Sequence, residues 1–315
     1  MAQQKGSNVK ILMGFESTFG TAATDGYSLY VNPPVSLSPN RPPQQPATLR
    51  GNRNPVTPFF GNLDIGGDIN IPIDSTMMAY WLKCMFGDPT TTGTDPYTHE
   101  YKIGDTMPSF TFEEGFEDLA TNEYIRYVGC KVSRFSMSVG GDGELVATLG
   151  VLGADYSIET SAFDATPTEP SFTRLYNSQA TVTEGGSAAG DLTSFDIAVE
   201  FGLDPDIYPI NSQGARGSLP EGQVAVTGNI KGLFKDVTLL TKAKNQTETS
   251  LKVTIQASSS SIFEVEIQEL KFQERMPSID GPQGLLVDLD FSAYYNDGSE
   301  ASAIVARVTN SLSSL

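Results

Sequence analysis

Residues 63–73 read Leu-Asp-Ile-Gly-Gly-Asp-Ile-Asn-Ile-Pro-Ile, and residues 77–86 read Met-Met-Ala-Tyr-Trp-Leu-Lys-Cys-Met-Phe. In the first stretch the isoleucines share one parity, which places them on a single face of a strand. In the second stretch apolar residues follow a three-four spacing, which predicts a short amphipathic helix. Between them, Asp74-Ser75-Thr76 supplies N-cap candidates. The sequence therefore predicts a strand followed directly by a short helix.

The same order of elements returns in the second half of the chain. Segments around the strand-to-helix step recur at an offset of 161 residues (228 − 67 and 236 − 75), and two later segments recur at 141 (250 − 109 and 284 − 143). A turn-rich stretch after the first helix, which the second half lacks, accounts for the difference between the two offsets. A repeated strand, helix, strand and hairpin order predicts duplication of one domain; a chance match of two α+β domains is the alternative. The matched segments are Gly67–Ile71 with Gly228–Gly232, Ser75 with Asp236, Ser109–Phe112 with Ser250–Val253, and Gly143–Val146 with Gly284–Val287.

The length and composition agree with two strand-rich units. A chain of 315 residues is too long for one ordinary core. Its 30 Gly, 19 Pro and 18% charged residues favour strands and turns. We therefore expect a mainly β protein with short flanking helices, built from two tandem antiparallel β-sandwich or barrel domains. The expected division is an extended, proline-rich arm over residues 1–60 that contacts a neighbouring subunit, a first β domain over 61–160 and a second over 161–315.

The charge balance excludes one large class of function. The chain has 20 Lys plus Arg against 38 Asp plus Glu, a formal net charge of −18. Such a surface repels phosphate, so a conventional nucleic-acid binder is excluded, although nucleic acid could move past the surface without sticking. The amino terminus lacks a secretory signal pattern, and no apolar run is long enough to span a membrane. We expect no membrane association and synthesis in the cytosol.

The residues that usually carry chemistry do not form a recognisable site. Cys84 and Cys130 have no CxxC spacing, and we expect two reduced thiols. The single histidine, His99, is expected to be an ordinary surface or hairpin residue, because lone ligands rarely suffice for a metal. Gly140–Gly143 is typical of a tight hairpin turn and lacks the ligand spacing of a calcium loop. The sequence predicts no catalytic residue, no metal site and no cofactor.

Carboxylates cluster in two places. Along two successive strands, acids alternate with apolar residues, which predicts an acidic face on adjacent strands that is solvated or faces a lumen. A second group occupies an acidic loop over residues 114–123. The first group is Glu264, Glu266, Asp288 and Asp290, and the second is Glu114, Glu117, Asp118 and Glu123.

An ordered set of short motifs over nearly the whole chain resembles the major tail tube proteins of long-tailed, siphovirus-type bacteriophages. Each motif is short, and the set keeps the order found in that family. The motifs are Gly14–Ala22, Ser36–Pro39, Gly61–Ile69, Tyr97–His99, Pro108–Thr111, Gly185–Gly186, Val226–Ile230 and Gly281–Leu285.

This resemblance implies two tandem tail-tube-like β domains, rings of subunits stacked into a hollow tube, and a lumen through which genomic DNA is ejected. It places the protein in the virion tail, made in the host cytoplasm, with itself and other tail proteins as partners and DNA passing without specific binding. The strand acids become candidates for the lumen face and the acidic loop a candidate contact between rings. Duplication would let three chains supply six domains, so a trimeric ring with pseudo-sixfold symmetry is favoured over a hexameric ring.

Two other functions remain open at this point. A baseplate or adhesin β-sandwich would bind a receptor through exposed aromatic residues, and the adjacent pairs are Phe59-Phe60 and Tyr294-Tyr295. A carboxylate-dependent hydrolase would use acids such as Asp288 and Asp290. The lone histidine and the single tryptophan disfavour the hydrolase, because carbohydrate enzymes usually add exposed aromatic residues for stacking.

Overall fold

The structure, a computed structural model, describes residues 3–279, 281–295 and 300–315. The first two residues of the predicted arm lie outside this part. The described residues form two short α-helices and 21 strands, which confirms the mainly β class. The helices are α1 (Met77–Phe86) and α2 (Thr238–Lys244). The strands are β1 (Lys10–Phe15), β2 (Tyr27–Ser28), β3 (Asn32–Val35), β4 (Ser38–Asn40), β5 (Pro43–Gln44), β6 (Phe59–Phe60), β7 (Asp64–Pro72), β8 (Thr90–Gly93), β9 (Tyr97–Lys102), β10 (Phe110–Phe116), β11 (Glu123–Gly140), β12 (Val146–Gly153), β13 (Asp155–Glu159), β14 (Ala180–Glu184), β15 (Ser187–Ala188), β16 (Leu192–Glu200), β17 (Ala225–Leu233), β18 (Thr249–Ser258), β19 (Ser261–Phe272), β20 (Leu286–Ala293) and β21 (Val305–Asn310).

A central antiparallel sheet runs through both halves of the chain. Its order is β7, β12, β11, β16, β17 and β20, with β3 and β4 beside β7 and the end of β19 beside β20. Side chains alternate across it, and one face is apolar and buried because nearly every second residue of each strand is Ile, Leu, Val, Phe, Met or Ala, with glycine at a few positions such as Gly67 and Gly228. The opposite face is polar. Since the buried set fixes the register, a one-residue slip in any of these strands would turn its apolar side chains into solvent.

Two outer sheets flank the central one, and two long strands connect them to it. The first outer sheet is β1, β10, β11 and β13, and the second is β14, β18, β19, β21, β9 and β8. Residues 123–130 of β11 belong to the first outer sheet, whereas residues 131–140 belong to the central sheet. In β19, residues 261–267 pair in the second outer sheet and residues 270–272 pair with β20. A single apolar core joins all these layers.

Helix α1 begins and ends at the residues predicted from the sequence. Nine of its ten side chains are buried, Lys83 being the exception. Its first turn is capped by Asp74, whose carboxylate accepts hydrogen bonds from the backbone N–H groups of Thr76, Met77 and Met78, each at 2.9 Å. The cap satisfies donors that the helix itself leaves unpaired. At the other end Gly87 takes a positive φ of 88°, which terminates the helix.

The two halves share one order of elements and one pairing scheme. In the first, β7, α1, β10, β11 and β12 occur in this order, with β8 and β9 inserted after α1, and in the second β17, α2, β18, β19 and β20 follow directly in sequence. In each half the last strand pairs with the first, and the long strand pairs with the strands before and after it. This agreement supports the duplication, which stays a prediction, as does the division at residue 160. Strand pairs β11–β16 and β9–β21 cross that predicted boundary.

The predicted arm contains two different structures. Strand β1 is part of this chain's own core, and Met13 is completely buried between β10 and β2. Residues 41–60, in contrast, form a hairpin that leaves the sheet next to Asp64, and all of its residues except Pro46 and Val56 are exposed. The long connection between β5 and β6 has no other strand.

Candidate functional site: the open face of the central sheet

The polar face of the central sheet is a broad surface of mostly small side chains, and an open concavity of about 620 Å³ lies on it. Alternation along each strand directs these residues away from the core, and the register aligns them in rows across the sheet. Serine, threonine, asparagine and aspartate predominate. One row is Asn70, Thr148, Ser136, Ala198, Thr227 and Ser292; the next is Ser138, Asp196, Asn229 and Asp290.

The charges on this face leave an excess of acid. Arg134 contacts Asp68 at 3.0 Å, and the Lys231 ammonium lies 3.8 Å from Asp288. Within the part of the chain that the structure describes, three further carboxylates on the face have no cationic partner within 4 Å. These are Asp196, Glu200 and Asp290.

Asn229 organises the two acids of β20. Its amide nitrogen donates to the carboxylates of Asp288 at 2.7 Å and Asp290 at 2.8 Å. The two aspartates lie two residues apart on one strand, directly beside Asn229 on β17, so a single amide reaches both. A neutral donor reduces the repulsion between the aspartates without cancelling their charge. The structure therefore keeps Asp288 and Asp290 together on the open face.

The structure does not bring Glu264 and Glu266 to that face. They lie in the part of β19 that pairs with β18 and β21 in the second outer sheet. Glu266 is seven residues from Gln273, the neighbour of Asp290, and at about 3.3 Å per residue this is a separation of about 23 Å. The acids alternate with apolar residues along each strand as predicted. The predicted single acidic face is nevertheless divided, because Asp288 and Asp290 lie on one surface and Glu264 and Glu266 on another.

Glu264 and Glu266 are instead held by Arg307. Its guanidinium contacts Glu264 at 3.0 Å, Glu100 at 2.7 Å and Glu300 at 3.1 Å, and it also pairs with Glu266. These carboxylates raise the pKa of Arg307 against the opposing effect of burial. Lys252 adds a second contact to Glu264 at 2.8 Å. The network ties β21 to β9 and β19, and it neutralises most of the acid predicted there.

The second group of predicted acids is divided between strands and a turn. Glu114 lies in β10 and Glu123 begins β11, so the connecting turn is residues 117–122. Glu117 contacts Lys10 at 2.8 Å, and Asp118 accepts hydrogen bonds from the backbone of Lys5 and the side chain of Asn8. Burial raises the pKa of Glu114 to about 7. The turn acids are thus engaged by the start of the same chain.

The remaining candidates for chemistry are structural. Cys84 and Cys130 are free, as expected, and both are buried. His99 lies in the β8–β9 hairpin but is fully buried, so a surface position is wrong; its ring nitrogens contact Thr91 and Asn310, and burial lowers its pKa. Among the described residues, no group of His, Cys, Asp and Glu could hold a metal ion. None of their helices is long and apolar enough to cross a membrane.

One exposed feature has a charge pattern that was not singled out from the sequence. The hairpin over residues 41–60 contains Arg41, Arg50 and Arg53 and no acid, in a chain whose formal net charge is −18. Phe59 and Phe60 are exposed at its base, and Leu49 is 98% exposed near its tip. The signal is present in the sequence, because residues 26–63 contain no Asp or Glu. The prolines of this stretch predict an extended arm and give no indication of its charge.

Comparison with known proteins now adds to this geometry. Residues 6–293 match the protein family described as phage tail tube protein. A comparison with curated proteins finds no match.

Proposed function

This chain belongs to the phage tail tube protein family, and we propose that its copies assemble into stacked rings that form a hollow tail tube, through which genomic DNA is ejected. The family is a structural component of the virion tail and not an enzyme family.

The junction between the two units of one chain carries the proposal. Residues 134–140 of β11 pair with residues 194–200 of β16, so the central sheet continues from the first unit into the second. The same step repeated between chains would extend the sheet around a ring. Since each chain supplies two units, three chains would supply six. We therefore favour a trimeric ring with pseudo-sixfold symmetry, and a hexameric ring is the alternative.

Each side of the central sheet has an edge strand to which a strand of another chain could pair. At one edge β3 and β4 pair with β7 and with no other strand in the described part of the chain. At the other edge the chain continues past Phe272 along β20, and residues 273–276 are exposed. An unpaired edge is a template for another strand. Because the two edges differ, the contact is heterologous and closes a ring when the rotation per chain allows it.

The open face of the central sheet supports a lumen lining. Small side chains leave a smooth wall, and the unpaired acids Asp196, Glu200 and Asp290 add negative charge to it. Such a wall makes few phosphate contacts, so DNA can slide past it. We place Asp288 and Asp290 on this lining. We place Glu264 and Glu266, which Arg307 holds in the second outer sheet, away from it.

Electron microscopy of the purified protein tests the assembly. We expect rings and tubes in negative stain, with three chains in each ring by native mass spectrometry. Six chains in each ring would replace the trimeric ring by the hexameric one. Only soluble monomers, at high concentration and after long incubation, would reject the proposal.

A charge variant tests the lumen. Replacing Asp196 and Asp290 by lysine is expected to leave tubes intact and to slow DNA ejection from reconstituted virions, because the lining then binds phosphate. The matched control carries Asp25→Lys and Asp105→Lys, two exposed acids outside the central sheet, and has the same net charge. Equal ejection rates for the two variants would remove this face from the lumen.

A further inference from the structure

Helix α1 is in contact with both units of its own chain. On one side, the ring of Trp81 lies edge-on to an aromatic ring of β10 in the first unit, with 6.2 Å between the centroids. On the other side, the backbone oxygen of Ala79 accepts a hydrogen bond at 2.8 Å from Tyr101 in the second outer sheet. The backbone oxygen of Ser75, just before the helix, accepts one at 2.8 Å from Asn310 of β21. This position between two layers accounts for the burial of α1.

Helix α2 lacks the second of these contacts. The capping aspartates of the two helices differ by 162 in residue number (236 − 74), and this offset aligns the helices. It places Val237 at the position of Ser75, and Thr241 at the position of Ala79. Both residues are exposed, Val237 by 60%. The side of α2 that corresponds to the β21 side of α1 is therefore uncovered in the single chain.

In the second outer sheet, a buried row of side chains ends at the residue that donates to α1. The register across β18, β19, β21 and β9 aligns Val253, Val265, Ala306 and Tyr101. None of these four side chains is more than 2% exposed. The row shows how this fold buries the inner face of an outer sheet at its edge, with a helix of the adjacent unit against it.

The first outer sheet has the corresponding row, and its edge is exposed. Both β11 and β19 have a bulge just before they pass into the central sheet, and counting from these bulges aligns the two rows. The register across β10, β11 and β13 aligns Glu114, Ile125 and Ile158. Ile158 is 65% exposed, and Tyr156 on the same face is 38% exposed. Within the described residues β13 pairs with β11 and with no further strand.

The sizes of the side chains suit a helix at this edge. Ile158 takes the position that Ala306 has in the second unit. The second unit has no strands that correspond to β8 and β9, so nothing equivalent to Tyr101 would lie beside Ile158. The larger side chain of Ile158 can fill part of that space. The small side chain of Thr241, at the position of Ala79, allows a close approach of the helix.

The charges of the two exposed surfaces are of opposite sign. Lys244 is exposed on α2 and has no carboxylate partner within 4 Å in the described part of the chain. Glu114, in the row that ends at Ile158, likewise has no cationic partner among the described residues. Unpaired charges of opposite sign favour association of the two surfaces over association of either surface with itself.

The two surfaces do not cover each other in one chain, because both are exposed there. The uncovered helix belongs to the second unit, and the uncovered sheet edge belongs to the first unit. Within the chain, in contrast, the helix of the first unit meets the outer sheet of the second. The same step from a second unit to a first unit therefore requires a second copy of the chain.

We propose that α2 of one chain packs, through Val237 and Thr241, on Ile158 of β13 in the next chain of the ring. Each such contact repeats between chains the step that α1 makes within one chain. Because the helix surface and the sheet surface differ, the contact is heterologous and can close a ring. The inference rests on the proposed ring, and it adds an outer-layer contact to the junction of the central sheet.

A charge exchange tests this contact. Ile158→Lys places a cation opposite a helix that carries Lys242 and Lys244, and Thr241→Glu places an acid near Glu114. Each change is expected to raise the protein concentration at which half of the chains are in rings by at least about tenfold. Native mass spectrometry and sedimentation velocity measure this concentration. Both changes in one chain bring a lysine and a glutamate together and are expected to restore the rings.

The controls are the same two changes at exposed positions outside both surfaces. Ile210 is fully exposed, and Ser259 is exposed in the turn between β18 and β19. Ile210→Lys and Ser259→Glu are expected to assemble as the unaltered protein does. Normal assembly of Ile158→Lys or Thr241→Glu, or no recovery in the double variant, would overturn the inference. Absence of rings from the unaltered protein would instead reject the proposed function.

A second measurement does not depend on losing assembly. With Ile158→Cys and Thr241→Cys in one chain, a short bis-maleimide cross-linker is expected to join neighbouring chains of a ring. A denaturing gel would then show a ladder that ends at the number of chains in the ring. The native thiols do not compete, because both cysteines are buried. Ile210→Cys with Thr241→Cys is the control and is expected to give no ladder. Intact rings without joined chains from the first pair would overturn the contact.

Discussion

The two helices occupy corresponding places in the two units, but their surroundings are opposite. In α1 nine of ten side chains are buried, and its capping residue Asp74 is fully buried. In α2 only Ala243 is buried, and Asp236, which accepts the N–H of Thr238 at 2.8 Å, is fully exposed. An aspartate that caps the first turn thus precedes a buried helix in the first unit and a surface helix in the second. The first unit buries its helix in the core of the chain, whereas the second unit leaves its helix largely at the surface.

The largest expected effect is on the segment that covers the first unit. Leu175→Ala removes a fully buried side chain next to Ile73 and Leu145, and we expect the free energy of unfolding to fall by about 3 kcal/mol. Chemical denaturation of the unassembled chain measures this. A loss below about 1 kcal/mol would show that Leu175 is not required to cover the first unit.

The capping residues should differ in their dependence on pH. Burial raises the pKa of Asp74 from 3.8 to about 6, whereas hydrogen bonds from Thr238 lower the pKa of Asp236. The folded chain binds the Asp74 proton more tightly than the unfolded chain does. Its contribution to the free energy of unfolding is therefore largest below pH 4, falls by about 3 kcal/mol in all as the pH rises through 6, and is level above about pH 7.

Denaturation midpoints between pH 4 and pH 8 measure this trend, and Asp74→Asn removes the titrating group. Burial also raises the pKa of Glu114 to about 7, so Glu114 contributes a pH dependence of the same sign to the wild-type protein and to the Asp74→Asn variant. The difference between their two pH profiles therefore reports Asp74 alone. Identical pH profiles for the two proteins would mean that Asp74 titrates as an exposed acid.

Removing each cap should separate the two helices at neutral pH. Asp74→Ala leaves the N–H groups of Thr76, Met77 and Met78 without their acceptor in the core, and we expect a loss of about 1.5 kcal/mol. Asp236→Ala is the matched change in α2 and is expected to have a smaller effect, since water replaces the cap. Equal losses would contradict the contrast in burial between the two helices.

The smallest effect on the isolated chain is expected at the uncovered end of the second unit. Leu286→Ala alters a side chain that is already 47% exposed, so the free energy of unfolding should change by less than about 0.5 kcal/mol. A variant that is strongly destabilised as a monomer would show that Leu286 belongs to the core.

The sequence predicted the local structure of this protein well. Periodicity was sufficient for α1 because its apolar spacing and the Asp74-Ser75-Thr76 cap occur next to each other. It was sufficient for the turn at Gly140–Gly143, where Gly140 and Gly141 take positive φ. Both features are decided by neighbours in sequence, and so are the faces of individual strands.

What the sequence could not predict depends on distant pairing. Asp290 and Glu266 each lie on the side of their strand that alternation predicts. Beyond Glu266, however, β19 passes from the second outer sheet to the central sheet, where it pairs with β20. Alternation along a strand does not report which sheet the strand joins. The burial of His99 depends on β21, more than 200 residues later in the chain. The core position of β1 was missed because the prolines that follow it suggested one extended arm.

The strand pair between residues 134–140 and 194–200 affects how an assembly of this protein would respond to dilution. Its two partners belong to one polypeptide, so the pairing is unimolecular and does not weaken on dilution. Any contact between chains, in contrast, is concentration-dependent. An assembly of this protein would contain two classes of seam, one permanent and one reversible. As the concentration falls, it would come apart only at the second class and release whole two-unit segments.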